Sequence, residues 1–307
     1  MFPTRVTVVV PTRERALLVV DTVKALLSLD YRHLDILVVD QSDTDATRRA
    51  VGALAAGDGR VSVIRAAPNG SAGARNRGAA ESRAPIVAYI DDDCIVDGAW
   101  LAGLLAEFAD PDVAAVYGRL LPYGFSRRTG REVGFKASLR RVVYTGCTPP
   151  WYIGHGGNMA FRRADLLAVG GFDLLLGAGA TFGAGEDGDI AYRLLRAGKR
   201  VVYAPKALAY HKHWKDWPTQ QLMERAYGVG VGAQLAKYIR GGDVCGAQLL
   251  ILWVWQLGIR RIAAGLLKWR DPKNVYLGYC QIVYPWVGIW RSRAYRIDPE
   301  RGVYVQR

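Results

Sequence analysis

Short apolar runs at residues 6–10, 36–39, 61–64 and 85–90 alternate with segments of helical spacing at 15–29, 45–54 and 73–82. No other feature narrows the fold as much. The runs are short and rich in β-branched residues, so they read as buried strands. The first is ended by Pro11; the helix after it carries Leu17, Leu18, Val20, Val23, Leu26 and Leu27. Strands alternating with helices at such short intervals argue for a parallel, doubly wound α/β sheet. A helix and a strand (113–117) follow within 100–118, then a glycine-rich loop running into a strand at 154–161, a helix at 187–197 and a strand at 200–203. Residues 122–148 are polar and basic and fit neither period.

Such sheets bind ligands beyond the carboxyl ends of their strands. Three polar clusters sit there: Pro11-Thr12-Arg13-Glu14-Arg15, Asp40-Gln41-Ser42-Asp43 and Asp91-Asp92-Asp93. Three successive carboxylates raise one another's pKa unless a cation or hydrogen bonds offset the charge. Mg²⁺ takes carboxylates together with substrate phosphates, and Mn²⁺ suits the same oxygens. Such an ion neutralises a leaving diphosphate. A solvated acidic turn is the bland alternative; the place at the end of a buried strand, opposite two other polar ends, favours the metal.

A second acidic set, Gly185-Glu186-Asp187-Gly188-Asp189, opens the helix at 187–197. Acids at a helix start suit the macrodipole, but capping needs only one. A carboxylate beside a donor can also take the proton of an acceptor hydroxyl. The residues alone leave capping and catalysis evenly balanced.

With 307 residues, half of them hydrophobic, the chain can bury a sizeable core, and global disorder is excluded. The excess of 41 Lys+Arg over 28 Asp+Glu, a formal +13, attracts nucleotides, nucleic acid or anionic lipid. A nucleic-acid partner is set aside, because no helix-turn-helix, zinc or aromatic-sheet signature accompanies the charge. Cys94, Cys147, Cys245 and Cys280 form no C-x-x-C pair and read as reduced core thiols of a cytoplasmic protein. The start of the chain carries no signal-peptide pattern.

Taken in order, these segments resemble glycosyltransferase family 2. Val9-Val10-Pro11-Thr12-Arg13-Glu14-Arg15 is similar to the family's opening strand and turn, residues 38–47 to its second strand end, and Ala88-Tyr89-Ile90-Asp91-Asp92-Asp93 to its D-x-D region. Residues 156–163, Gly170-Gly171-Phe172-Asp173 and Gly185-Glu186-Asp187 are similar to its acceptor half. Each segment is weak alone; their order across roughly residues 5–215 makes the signal strong. The resemblance implies a GT-A fold, a Rossmann-like, mostly parallel sheet with flanking helices, over 1–217. It would divide into a nucleotide-binding half (1–118) and an acceptor half (119–217). It implies inverting transfer of a sugar from a UDP-, GDP- or dTDP-linked donor to a hydroxyl of a glycan or lipid-linked glycan of the cell envelope, with Mn²⁺ or Mg²⁺ as cofactor. By position, Asp40 matches the acid at the nucleotide base, Pro11 and Arg15 the turn near base and diphosphate, and Arg75 a basic position near the nucleotide. Asp92 matches the ribose-side acid, supported by Asp91, and Asp93 the metal ligand. Asp187 matches the catalytic base, with Glu186 beside it, and Gly157 and Asn158 lie on the loop at the donor–acceptor junction. His211, ahead of the weaker candidate His213, falls where a histidine can complete the metal or diphosphate site. Arg13-Glu14 and Gln41-Ser42-Asp43 depart from the family's usual residues and leave the donor base and sugar open. Gln221-Leu222-Met223-Glu224-Arg225 lacks the spacing and Trp of the processive Q-x-x-R-W element, so transfer of one sugar is expected.

Composition shifts near Trp217, and residues 218–307 read as a helical, aromatic and basic appendage. The apolar stretch 244–259 falls short of the roughly 20 residues of a spanning helix, contains Gln248 and Gln256, and stops at Arg260-Arg261. Trp and Tyr interleaved with Arg260, Arg261, Lys268 and Arg270 suit a helix lying in a membrane interface through 218–290, on the cytoplasmic face. A homo-oligomer contact is the alternative use of that surface. Trp214 and Trp217 are expected to pack in the core. Two further readings compete. An inactive nucleotide-sugar-binding or membrane scaffold of the same fold needs neither Asp93 nor Asp187, and both are present. A nucleotidyltransferase expects a glycine-rich phosphate loop where this chain has Pro11-Thr12-Arg13-Glu14.

Overall fold

The computed structural model describes residues 4–124, 136–212 and 215–305; His213 and Trp214 lie outside them. β1 (Val6–Thr12), β2 (Leu34–Asp40), β3 (Val61–Arg65) and β4 (Ile86–Ile90) run parallel, linked by α1 (Ala16–Leu27), α2 (Ala46–Gly57) and α3 (Gly70–Glu81). There follow β5 (Cys94–Val96), α4 (Trp100–Leu105), β6 (Val113–Pro122), β7 (Val142–Tyr144), β8 (Asn158–Arg162), α5 (Arg163–Ala168), α6 (Glu186–Arg196) and β9 (Arg200–His211). The sheet order is β3-β2-β1-β4-β8-β6-β9-β5, with β7 also on β9. β8 runs antiparallel to β4 and β6 on either side of it, and β6 and β9 are again parallel. Alternation along β1 shows why these runs became strands. Val8 and Val10 face one core with α1, α2 and α4; Val9 faces the other with α3, α5 and α6.

Two strands outrun their expected ends. β1 continues through Pro11 to Thr12, because past Val9 it pairs only with β2 and one side no longer needs a donor. β9 runs on from Tyr203 to His211 alongside β6 and β5, across a register shift at Gly118/Arg119. That extension delivers His211 to the carboxyl end of β4.

After the sheet come α7 (Trp217–Arg240), a long helix (Val244–Trp269), a final helix (Pro272–Ser292) and a two-stranded hairpin, β10 (Arg296–Ile297) with β11 (Tyr304–Val305). Asp216 caps α7 by accepting from Thr219 N–H at 3.0 Å, with Pro218 in the first turn. A buried ionic seam joins this region to the sheet: Lys237 of α7 meets Asp173 at 2.6 Å and Asp189 of α6 at 2.7 Å. Arg193 meets Asp189 at 2.9 Å, and Tyr304 N–H donates to Asp173 at 2.8 Å.

Two expectations are corrected. Cys147 and Cys245 form a disulfide, with Cα atoms 5.9 Å apart, so only Cys94 and Cys280 are free thiols. The cysteines therefore lend no support to a reducing compartment. The apolar helix does not stop at Arg260-Arg261 but runs to Trp269. Its 26 residues are long and apolar enough to cross a membrane by length and composition alone.

Candidate active site

The three aspartates occupy the turn from β4 into β5, and each has its own partners. Asp91 takes Arg75 Nη2 at 3.1 Å. Asp92 accepts from Thr12 Oγ1 at 2.6 Å and Arg15 Nη1 at 3.0 Å. Asp93 accepts from the same Arg15 nitrogen at 3.1 Å and lies 3.0 Å from His211 Nε2. Asp92 is buried, and that burial pushes its pKa up to about 6 against the pull of Arg15 and Thr12. Cys94 and His211 are partners across the antiparallel β5–β9 pair, so both side chains project on the same side. Ligand atoms of Asp93, Cys94 and His211 all lie within 4.8 Å of one another. A carboxylate, an imidazole and a thiol gathered this closely fit a divalent cation, and substrate phosphates could fill its remaining positions.

The second acidic set stands opposite. Gly185, with φ +98°, turns the chain into α6 in a conformation that suits glycine. Glu186 is held by Arg75 Nη1 at 2.7 Å and Ser71 Oγ at 3.0 Å. Asp187 accepts Gly156 N–H on one oxygen and Gly188 N–H on the other, both at 2.8 Å. Its main-chain carbonyl accepts the Tyr117 hydroxyl at 2.7 Å. Burial and the neighbouring Glu186 push its pKa up to about 6, while Arg75 and the two N–H groups pull it down. A carboxylate whose basicity is raised in this way suits a proton acceptor.

Arg75 joins the two sets. Its buried guanidinium bonds Asp91 on one side and Glu186 on the other, and reaches Gly156 O at 3.3 Å. Arg75, expected near the nucleotide, is thus a tie between the strand-end and the helix-start acids. Gly157 lies against Asp91: a Cβ there would come 2.7 Å from Asp91 Oδ2. Asn158 is a correction. Its side chain is fully buried, accepting from Trp100 Nε1 at 2.8 Å and donating to Arg119 O and Ala207 O at 2.9 Å each. It secures β8 and offers no side-chain group to a ligand. Asp40 is buried at the end of β2, accepting Ser42 N–H at 2.9 Å, opposite Thr12 on β1, with Pro11 one residue earlier opposite Val39.

Sequence reading missed Thr12, Ser71 and Gly156 as supports, and Thr12 lay inside a segment already singled out. The unusual Arg13-Glu14 and Gln41-Ser42-Asp43 prove to be partners. Glu14 accepts Asp43 N–H at 2.6 Å, donates its own N–H to Ser42 Oγ at 2.7 Å, and sits at φ +55° to do so.

The model of the family described as Glycosyl transferase family 2 matches residues 7–169, more than half of the chain. A pre-mycofactocin glycosyltransferase of Mycobacterium tuberculosis is 32% identical over 175 residues, covering 54% of this chain and 35% of that protein. The chain thus spans about a third of that relative's length. A glucosyl-dolichyl phosphate glucuronosyltransferase of Haloferax volcanii is 26% identical over 217 residues, covering 64% of this chain and 66% of that protein. Among solved structures, a mannosyltransferase from Pyrobaculum calidifontis in complex with GDP-Man and Mn²⁺ superposes with a TM-score of 0.65 at 22% identity. That match covers 94% of this chain and 88% of the other, so the fold is GT-A.

Proposed function

The chain belongs to glycosyl transferase family 2, and on that premise we propose that it moves one sugar, with inversion, from a nucleotide-diphosphate sugar to an acceptor hydroxyl. The observation that carries this reading is the pairing of Asp91–Asp93 and Glu186–Asp187 across one buried Arg75. A cation-binding end and a proton-accepting end are thereby fixed to one another. Asp93 and His211 would hold a Mn²⁺ or Mg²⁺ ion, with Cys94 adjacent; the ion's chemistry is to stabilise the charge of the departing diphosphate. Arg15, half in solvent beside Asp92 and Asp93, can turn to the same phosphates. Asp40 and Pro11 lie toward the nucleotide base. Asp187, its oxygens aimed by Gly156 and Gly188, accepts the acceptor's proton as its oxygen attacks the anomeric carbon. Glu186, bonded to Arg75 and Ser71, positions Asp187. The solved relative's complex with GDP-Man and Mn²⁺ supports a nucleotide-sugar donor and a metal. The lipid-phosphate relative supports a lipid-linked acceptor at a membrane surface.

The test is a thermal-shift panel of UDP-, GDP- and dTDP-sugars with and without Mn²⁺. One donor family should raise the melting temperature only with the metal, and Asp93→Ala should remove that metal dependence. No shift with any donor would overturn the nucleotide-sugar reading and leave a membrane scaffold as the better account.

A further inference from the structure

The long helix Val244–Trp269 exposes a stripe of large apolar side chains. Ile251 is 71% exposed, Trp255 52%, Leu266 60%, Leu267 83% and Trp269 53%. The final helix adds Trp286 and Trp290, also exposed, beside an open apolar groove of about 510 Å³ between them and Ile282, Val283 and Val287. A patch of this kind left bare would drive aggregation. Its surroundings indicate what covers it. From residue 244 to 293 the chain carries seven basic residues (Arg260, Arg261, Lys268, Arg270, Lys273, Arg291 and Arg293) against one acid, Asp271. All but Arg261 of the seven are exposed. Indole rings and aliphatic tips flanked by cations match the chemistry of an anionic bilayer interface.

We propose that residues 244–293 form a docking face for an anionic bilayer, with the long helix lying in the plane of the interface. Spanning is disfavoured because Arg260, exposed in the inner part of the helix, would sit in hydrocarbon. The opposite, buried side of the same helix borders the site. Cys245 is bonded to Cys147, Trp253 packs edge-on against Trp151 with ring centroids 5.0 Å apart, and Gln256 accepts the Tyr152 hydroxyl. This strap of residues 147–152 leads directly to Gly156, whose N–H holds Asp187. A bilayer engaged by the helix is therefore mechanically continuous with the loop that aims the proposed base. The inference deepens the membrane reading above and rests on the enzyme reading for its purpose.

The test is co-sedimentation of the full chain with vesicles of phosphatidylcholine alone or mixed with phosphatidylglycerol. Wild-type protein should bind the anionic vesicles, be released by high salt, and stay in solution with the neutral ones. W255S/L267S and R260E/K268E should each weaken partitioning by about tenfold or more, while Leu167→Ser, exposed on α5, should not. Circular dichroism checks that each variant is folded. Absence of wild-type binding, or W255S/L267S binding as well as wild type, would overturn the proposal. So would a lipid-free dimer that W255S/L267S splits, which assigns the face to a second copy, or resistance to both salt and alkaline extraction, which assigns a spanning helix. The donor-induced thermal shift, read without vesicles, reports separately on the proposed reaction.

Discussion

The strand-end acids and the helix-start acids are both triplets, but they are neutralised from opposite sides. Asp91, Asp92 and Asp93 share Arg75, Thr12, Arg15 and His211, and of these the Arg15 side chain is 40% exposed. Glu186, Asp187 and Asp189 are met by Arg75, by main-chain N–H groups and by Lys237 and Arg193, whose side chains are 1% and 5% exposed. The first set has a cation that reaches solvent, which under the proposed reaction leaves room for a metal and a diphosphate. The second has its cations built into the core. One is arranged for traffic, the other for aim.

Substitutions should separate the two. Asp187→Asn should cut transfer by about a hundred- to ten-thousandfold while leaving the donor- and Mn²⁺-induced thermal shifts intact; turnover near wild type would remove the base from its role. Lys237→Met strands Asp173 and Asp189 without their shared partner. It should lower stability by about 3–5 kcal/mol in denaturant titration, and a loss under about 1 kcal/mol would mean that the seam is not what fixes the helix start. Acidity gives an intermediate effect. Folded-state Asp187 holds its proton more tightly than the unfolded chain does. Its charged form therefore costs stability above about pH 6, and that cost disappears as pH falls toward the ordinary carboxylate range. Activity should move the other way, declining below about pH 6 as the base is protonated. An acid limb near pH 4 would show that bound substrate overrides the burial. Arg15→Ala should have a smaller effect on folding than Lys237→Met, because Arg15 is itself 40% exposed even though Asp92 and Asp93 beside it are buried. Its visible consequence should be a weaker donor-induced thermal shift.

Much of this was legible because periodicity reports local structure. The alternation of runs and helices located β1 to β4, and the ends of those strands located Asp40 and the aspartates. What escaped was set by partners distant in sequence. The two cysteines of the disulfide are 98 residues apart, and nothing in their spacing announces the strap that brings them together. Arg75 carries the same charge whether it faces a phosphate or two carboxylates; only the fold reveals the second. Asn158 looks like a polar group on a glycine-rich loop, yet it is the first residue of a buried strand. Glu14 and Asp43 each looked like a departure from pattern, and their mutual bond is invisible when the two turns are read one at a time.

The antiparallel strand β8 has a consequence for how the molecule can be divided. It comes from the later part of the chain, yet it fills the slot between β4 and β6. A fragment ending at residue 118 would leave the edge of β4 bare and cut β6 midway, inviting intermolecular strand pairing. The earlier and later parts of the chain are therefore interleaved like the fingers of two hands. A chimaera that swaps one side for a relative's must carry β8 across with its neighbours or lose the sheet that aligns the two sets of acids.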